Sequence, residues 1–258
     1  MRVIDAYIHL DKYNKAEKDA LLNCLNENNI EGLISVSMDL VSCQENLKLA
    51  LGNPRIYPAF GFHPEQPLPS DEELVELVKW IEGNQASMVA VGEVGLPYYS
   101  RAEKAGAAFP YERYVELLEQ FIVLAKKLDK PIVLHAVYDD APVVCGLLEK
   151  HNAGKAHFHW FKGDEMTIGR MIANGYHVSF TPDILYEEET RAVVKQYPLG
   201  LMMAETDGPW PFEGIFLGKK THPKMVHHVV SEIAAIKKMR VEEVYNNLLQ
   251  NSKRFYGI

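Results

Sequence analysis

The chain has 258 residues, 47% hydrophobic and 24% charged, with a formal net charge of −8. That is the size of one α/β barrel with ample material for one large core, and the acidic balance excludes a scaffold that coats nucleic acid by charge alone. An enzyme that grips a few phosphates through bound metal stays open, because the cations would be the dominant local charges.

No apolar run approaches the ~18 residues of a membrane span. The opening MRVIDAYIHL lacks the basic and then apolar pattern of a signal peptide. Cys24, Cys43 and Cys145 are odd in number and lack CxxC spacing. Free thiols in a reducing cytosol are the simplest account, so a cytoplasmic protein is expected.

Apolar period and punctuation give a repeating strand-then-helix order. A first strand is expected at 3–8 with a helix over 16–28, and a second strand at 32–38 with a helix over 43–51. A third strand at 56–61 precedes Ser70-Asp71-Glu72-Glu73, which reads as the N-cap of a helix running to residue 81. The fourth strand, 88–91, leads to a long helix over 109–128 that carries Tyr111, Val115, Leu118, Ile122 and Ala125 on one face. Strands at 131–135, 155–159, 176–180 and 201–205 follow, with helices over 141–150, from 164, over 186–196, 223–238 and 241–255.

Eight such units predict a single (β/α)₈ TIM barrel spanning 1–258. An open doubly wound sheet is the runner-up. It should carry a glycine-rich phosphate turn after an early strand, and the first strand here ends in Tyr7-Ile8-His9 instead.

In a barrel, chemistry sits at the C-terminal ends of the strands. His9, His63, Glu93, His135, His159 and Asp207 stand at such ends or in the loops after them. Glu93 lies in Gly92-Glu93-Val94-Gly95, where the strand is expected to stop and glycine permits close approach or a positive φ. A lone strand-end histidine is more often a hydrogen-bonded structural residue than a ligand. Six such groups converging on one mouth are what a divalent cation needs, and leaving them unpaired there would be costly.

His159 is preferred to His157, which lies two residues earlier on the same side of its strand and would support it from a layer below. Asp207, before the Gly208-Pro209 turn, is preferred to Glu205 on the same parity. Asp5 and Asp11 read as supporting or capping groups. His151, His177, His222, His227 and His228 read as surface or packing residues, with His222 held in reserve.

These residues resemble the TatD family of metal-dependent deoxyribonucleases, among the amidohydrolase-like barrels. The matching pieces run in order from Asp5-Ala6-Tyr7-Ile8-His9-Leu10-Asp11 and Gly61-Phe62-His63-Pro64 to Gly92-Glu93-Val94-Gly95-Leu96 and Leu134-His135. They continue through His159-Trp160-Phe161-Lys162-Gly163 and Glu205-Thr206-Asp207-Gly208-Pro209 to the closing Asn251-Ser252-Lys253-Arg254-Phe255-Tyr256-Gly257. The resemblance implies that Glu93 bridges two cations, His135 and His159 holding one and His9 and Asp207 the other, with His63 lining the substrate side. It also implies phosphodiester hydrolysis with one or two divalent ions per chain, Mg²⁺, Mn²⁺ or Zn²⁺.

The chain departs from the family where the first strand normally ends in His-x-His and Tyr7 stands for the first histidine. Tyr7 is then a candidate ligand only as phenolate, which its reference pKa of about 10 disfavours at neutral pH. Val137 stands where the family has arginine, Pro97 replaces the aspartate after Gly-Leu, and Lys220-Thr221 replaces an Arg-Asn pair.

The expected mechanism has metal-activated water attacking in line. Glu93 and Asp207 are the catalytic candidates, with Asp207 accepting the water's proton. His63, Lys162 and Lys220 are the candidate substrate contacts. Single-stranded DNA ends or a small anionic molecule would be the substrate, with no obligate protein partner. The alternatives are an amidohydrolase-like enzyme acting on a small ester, lactone, cyclic amide or phosphoester, and a metal-depleted, non-catalytic binding protein.

Overall fold

The structure, a computed structural model, describes residues 1–104 and 109–258. Eight strands form one parallel sheet in chain order: β1 (Val3–Ile8), β2 (Ile30–Val36), β3 (Ile56–Phe60), β4 (Ala90–Gly95), β5 (Ile132–His135), β6 (Ala156–Phe158), β7 (His177–Phe180) and β8 (Met202–Ala204). The helices are α1 (Lys15–Asn23), α2 (Leu40–Gly52), α3 (Asp71–Gly83), α4 (Tyr98–Glu103), α5 (Tyr111–Lys127), α6 (Asp140–Lys150), α7 (Glu165–Ala173), α8 (Glu188–Gln196), α9 (Val226–Lys237) and α10 (Val241–Tyr256). This is the (β/α)₈ barrel the alternation predicts, not the open doubly wound sheet.

Local chemistry explains several boundaries. Ser70 caps α3 as expected, accepting from Glu73 N while the Glu73 carboxylate accepts from Ser70 N. Asn14 and Glu17 make the same reciprocal pair at α1. Pro110 sits just before α5, and α4 is a short helix the sequence reading does not include. Pro223–Met225 is a 3-10 turn, so α9 starts at Val226 rather than 223.

The apolar material separates into two layers. Ile4, Tyr7, Ile34, Val36, Val133 and Met203 belong to a small cluster inside the barrel, and a larger one lies between strands and helices. β8 returns to β1 through bonds made beyond the ladder: Asp207 N donates to the Tyr7 carbonyl at 3.0 Å and His9 N to the Gly208 carbonyl at 2.8 Å. Thr206 N and Oγ1 donate to the Asp5 carboxylate at 2.9 and 2.5 Å. The seam therefore fixes His9 and Asp207 relative to each other.

The main correction concerns β4. The strand does not stop at residue 91 but runs through Glu93 to Gly95, and of the two roles expected of the glycines it is close approach that they serve. A Cβ on Gly61 would meet the Glu93 carbonyl at 2.5 Å, one on Gly92 the Val133 Cβ at 2.6 Å, and one on Gly95 the His135 carbonyl at 2.0 Å. Gly95→Ala is accordingly expected to cost about 3 kcal/mol and lower Tm by roughly 10 °C in a thermal melt, because backbone must move to admit the methyl.

Candidate metal centre

Glu93 is fully buried in β4, and its carboxylate is shared between two groups of imidazoles. Oε1 lies 3.1 Å from His135 Nδ1 at the end of β5 and 3.0 Å from His159 Nε2 just after β6, and those two nitrogens are 3.1 Å apart. Three donors in such a triangle match ligands held about 2.0–2.2 Å from one cation. Oε2 lies 3.3 Å from His63 Nε2, in the loop after β3, and 3.5 Å from His9 Nε2, just after β1. Asp207 Oδ1 approaches the second group, 3.7 Å from His9 Nε2.

The charges set the protonation pattern. Burial holds the His9 imidazole down at about 4 and the His63 imidazole at about 3, so both present neutral rings at neutral pH. Burial also pushes His135 down, but its hydrogen bonds to Glu65 and Glu93 win and leave it raised. For His159, Glu93 and Glu205 outweigh burial in the same way. Burial pushes Glu93 up, yet the surrounding imidazoles hold it well below the usual carboxylate range.

Protons on His135 and His159 are thus favoured by the Glu93 charge, and a cation bound there would compete with them. Glu93 Oε2 has no hydrogen-bond partner among the described residues, although it is buried. An orphaned carboxylate oxygen facing two neutral imidazoles fits a divalent ion.

Two supporting acids escaped the sequence reading or were left without a role. Glu65, two residues after His63, lies 3.3 Å from His135 Nε2 and accepts from Tyr99 N and Ser100 N at 2.8 and 2.7 Å. It keeps a proton on Nε2 and leaves Nδ1 for the cluster. The motif His63-Pro64-Glu65 carried that signal. Glu205 accepts from Trp160 N at 2.8 Å and from Ser179 Oγ, and sits 3.7 Å from His159 Nδ1. Removing the Glu65 carboxylate (Glu65→Ala) is expected to weaken the cation held by His135 and His159 by about tenfold to a hundredfold in a calorimetric metal titration.

Tyr7 touches both groups of imidazoles. Its ring stacks flat on the His159 ring, 3.9 Å between centroids, and its hydroxyl lies 3.2 Å from His9 Nε2. Burial, with Glu93 and Asp207, pushes the phenol well above 10, so it stays protonated. His157 lies beneath His159, bonded to Tyr256 Oη at 2.7 Å and Ser179 Oγ at 2.6 Å.

Lys162 Nζ lies 3.6 Å from the buried Asp183 carboxylate, while Lys220 pairs with Glu17 at 2.8 Å. Asp11 accepts from Ser42 Oγ, and His222 caps the turn at Pro223–Met225 by accepting from Lys224 N. A cavity of about 550 Å³ opens at the opposite, N-terminal end of the barrel beside His177 and Phe255, away from this cluster.

Trp160 and Asp207 carry positive φ angles of 38° and 47°. Each costs a non-glycine residue about 1–2 kcal/mol. Both are held by N–H bonds, Trp160 to Glu205 and Asp207 to the Tyr7 carbonyl.

Residues 4–257 match the family described as TatD related DNase. A Haemophilus influenzae protein named an uncharacterized metal-dependent hydrolase is 38% identical over 257 residues, covering 99% of this chain and 100% of that one. Human deoxyribonuclease TATDN3 is 27% identical over 265 residues, covering 98% of this chain and 94% of that one. The crystal structure of YjjV, a TatD homologue from Escherichia coli, superposes with a TM-score of 0.88 at 26% identity, covering 100% and 98% of the two chains. With a family match over nearly its whole length and a relative this similar, the chain belongs to the TatD family of metal-dependent hydrolases.

Proposed function

We propose that this hydrolase cleaves phosphodiester bonds at the ends of single-stranded DNA, with the whole of 1–258 acting as one hydrolase unit. The observation that carries the reading is the division of the Glu93 carboxylate between two three-donor groups, His9–His63–Glu93 and Glu93–His135–His159. Divalent cations bound there polarise a phosphoryl oxygen and acidify a water.

The protein's own residues do the rest. Glu93 supplies the charge that holds both sites together. His135 is locked by Glu65 and His159 is packed under Tyr7, so neither ring needs to reorient. Asp207, anchored through its N–H at the barrel seam, accepts the proton leaving the water at Oδ1. His63 takes the place in the ligand set that Tyr7 leaves vacant, rather than a purely substrate-side position.

Among the described residues no helix is long and apolar enough to cross a membrane, and three free cysteines are in keeping with a reducing cytoplasm. A second reading, hydrolysis of a small ester, lactone or cyclic amide, draws support from the pairing of Lys162 and Lys220 with acids of this chain.

The test is chromatographic release of nucleotides from single-stranded DNA by protein stripped with chelator and reloaded with Mg²⁺, Mn²⁺ or Zn²⁺. Activity that returns with the metal supports the nuclease reading. Hydrolysis confined to small esters or amides supports the second, and no hydrolysis with any cation would leave a binding protein.

A further inference from the structure

The mouth of the barrel is rimmed by aromatic side chains that the metal centre does not use. On one side Tyr98 packs against Tyr99 and, 4.8 Å between centroids, against Tyr138, while the Tyr99 ring lies 6.0 Å from His135. On the other side Trp160, next to His159, lies 6.0 Å from Trp210. Tyr99 is 47% exposed and Trp210 57% exposed.

Single exposed aromatics scattered over a surface need no explanation. These are not scattered, because the backbone N–H of each of three is fastened to the site. Tyr99 N donates to Glu65, the acid that holds His135; Trp160 N donates to Glu205; Trp210 N donates to the Asp207 carbonyl at 3.0 Å. Trp160 is further fixed by its indole N–H, which donates to Asp183 at 2.6 Å.

Three cations around the same rim are engaged: Lys162 with Asp183, Arg101 with Asp140 at 2.7 Å, and Lys220 with Glu17. A chain of net charge −8 with these three cations paired has less to offer a phosphate backbone outside the metal centre. What it offers instead is aromatic rings on two sides of the donor cluster, Tyr99 and Trp210 the most exposed of them, with Trp160 packed behind Trp210 against Phe212.

We propose that Tyr98–Tyr99–Tyr138 and Trp160–Trp210 are stacking subsites for unpaired nucleobases flanking the scissile phosphate, so that the substrate is gripped through its bases more than through its backbone. This rests on the single-strand phosphodiesterase reading above and adds how the strand is held, since only unpaired bases can present their faces. Stacking is tolerant of sequence because every base has a π-face. A small ester would use one platform at most.

The experiment compares two single-stranded ligands of equal length and phosphate count, an oligothymidylate and its abasic tetrahydrofuran analogue, in steady-state kinetics on the metal-loaded enzyme. The wild type is expected to show a KM for the abasic strand roughly tenfold to a hundredfold higher. In Trp210→Ala and in Tyr99→Ala that preference should shrink by about tenfold with kcat for oligothymidylate changed less than KM, and Trp210→Phe should restore it. Equal KM values for both strands in the wild type, or an undiminished preference in both alanine variants, overturn the proposal.

Fluorescence anisotropy with the same two strands separates this inference from the nuclease reading. Base-dependent binding that weakens in Trp210→Ala supports the subsites even where no strand is cut. Equal binding of both strands, or binding of neither, overturns them, and leaves the exposed aromatics to a protein partner.

Discussion

Glu93→Ala is expected to abolish loading of both cations and to lower turnover by about three orders of magnitude or more, the equivalent of losing the several kcal/mol that bound metal contributes to the transition state. Among the described residues Glu93 is the one shared by both donor groups, with one oxygen facing each, so its loss strikes both sites at once. The fold should survive, because the carboxylate faces imidazoles rather than the apolar layers. Elemental analysis of the purified variant, with far-UV circular dichroism as the check on folding, reads the outcome. Retained metal with turnover within about tenfold of wild type would place the cations elsewhere.

The second large effect is expected at His63. Loss of a ligand's supporting partner typically costs tenfold to a hundredfold in metal affinity, so loss of a ligand itself should cost about a hundredfold or more. His63→Ala should therefore empty the site shared with His9 while leaving the ion of His135 and His159 bound, seen as one binding step in place of two by calorimetry. Tyr7→His adds a nitrogen beside His9 and is expected to tighten that same site. Two unchanged binding steps in His63→Ala would return His63 to the substrate side, the role the family resemblance implies. The Tyr7 variant also loses the ring stacked at 3.9 Å on His159, so its second step reports whether that packing orients the ligand.

The sequence made the barrel legible because the strand-then-helix alternation and the switch of apolar period are local properties of the chain. It misjudged where β4 ends. The strand runs on to Gly95 instead of stopping at residue 91, while the close approach that glycine permits is what Gly61, Gly92 and Gly95 provide, where neighbouring strands leave no room for a Cβ. Strand-end position brought His9, His63, Glu93, His135, His159 and Asp207 into view, and the structure places the five other than Asp207 within the two donor groups around Glu93. Asp207 stands beside them through His9, for its place depends on seam bonds from β8 to β1 that no local pattern encodes.

Glu65 was signalled only by its place in His63-Pro64-Glu65, since an acid in a loop ordinarily reads as solvated, and its task is set by the approach of His135, distant in sequence. The lysines gain partners that the sequence does not show. Lys162 and Lys220 look available in sequence but meet Asp183 and Glu17 in the fold. The aromatic rim was invisible for a related reason: periodicity speaks about strands and helices, while Trp160, Trp210 and Tyr138 sit in the loops between them.

Anomalous diffraction from crystals grown with Mn²⁺ or Zn²⁺ puts the shared carboxylate to the sharpest trial. Two peaks should straddle Glu93, each about 2.0–2.2 Å from its ligands, one against His135 Nδ1 and His159 Nε2 and the other against His9 Nε2 and His63 Nε2. Peaks that do not touch Glu93, or a barrel mouth without any in metal-saturated crystals, would contradict it.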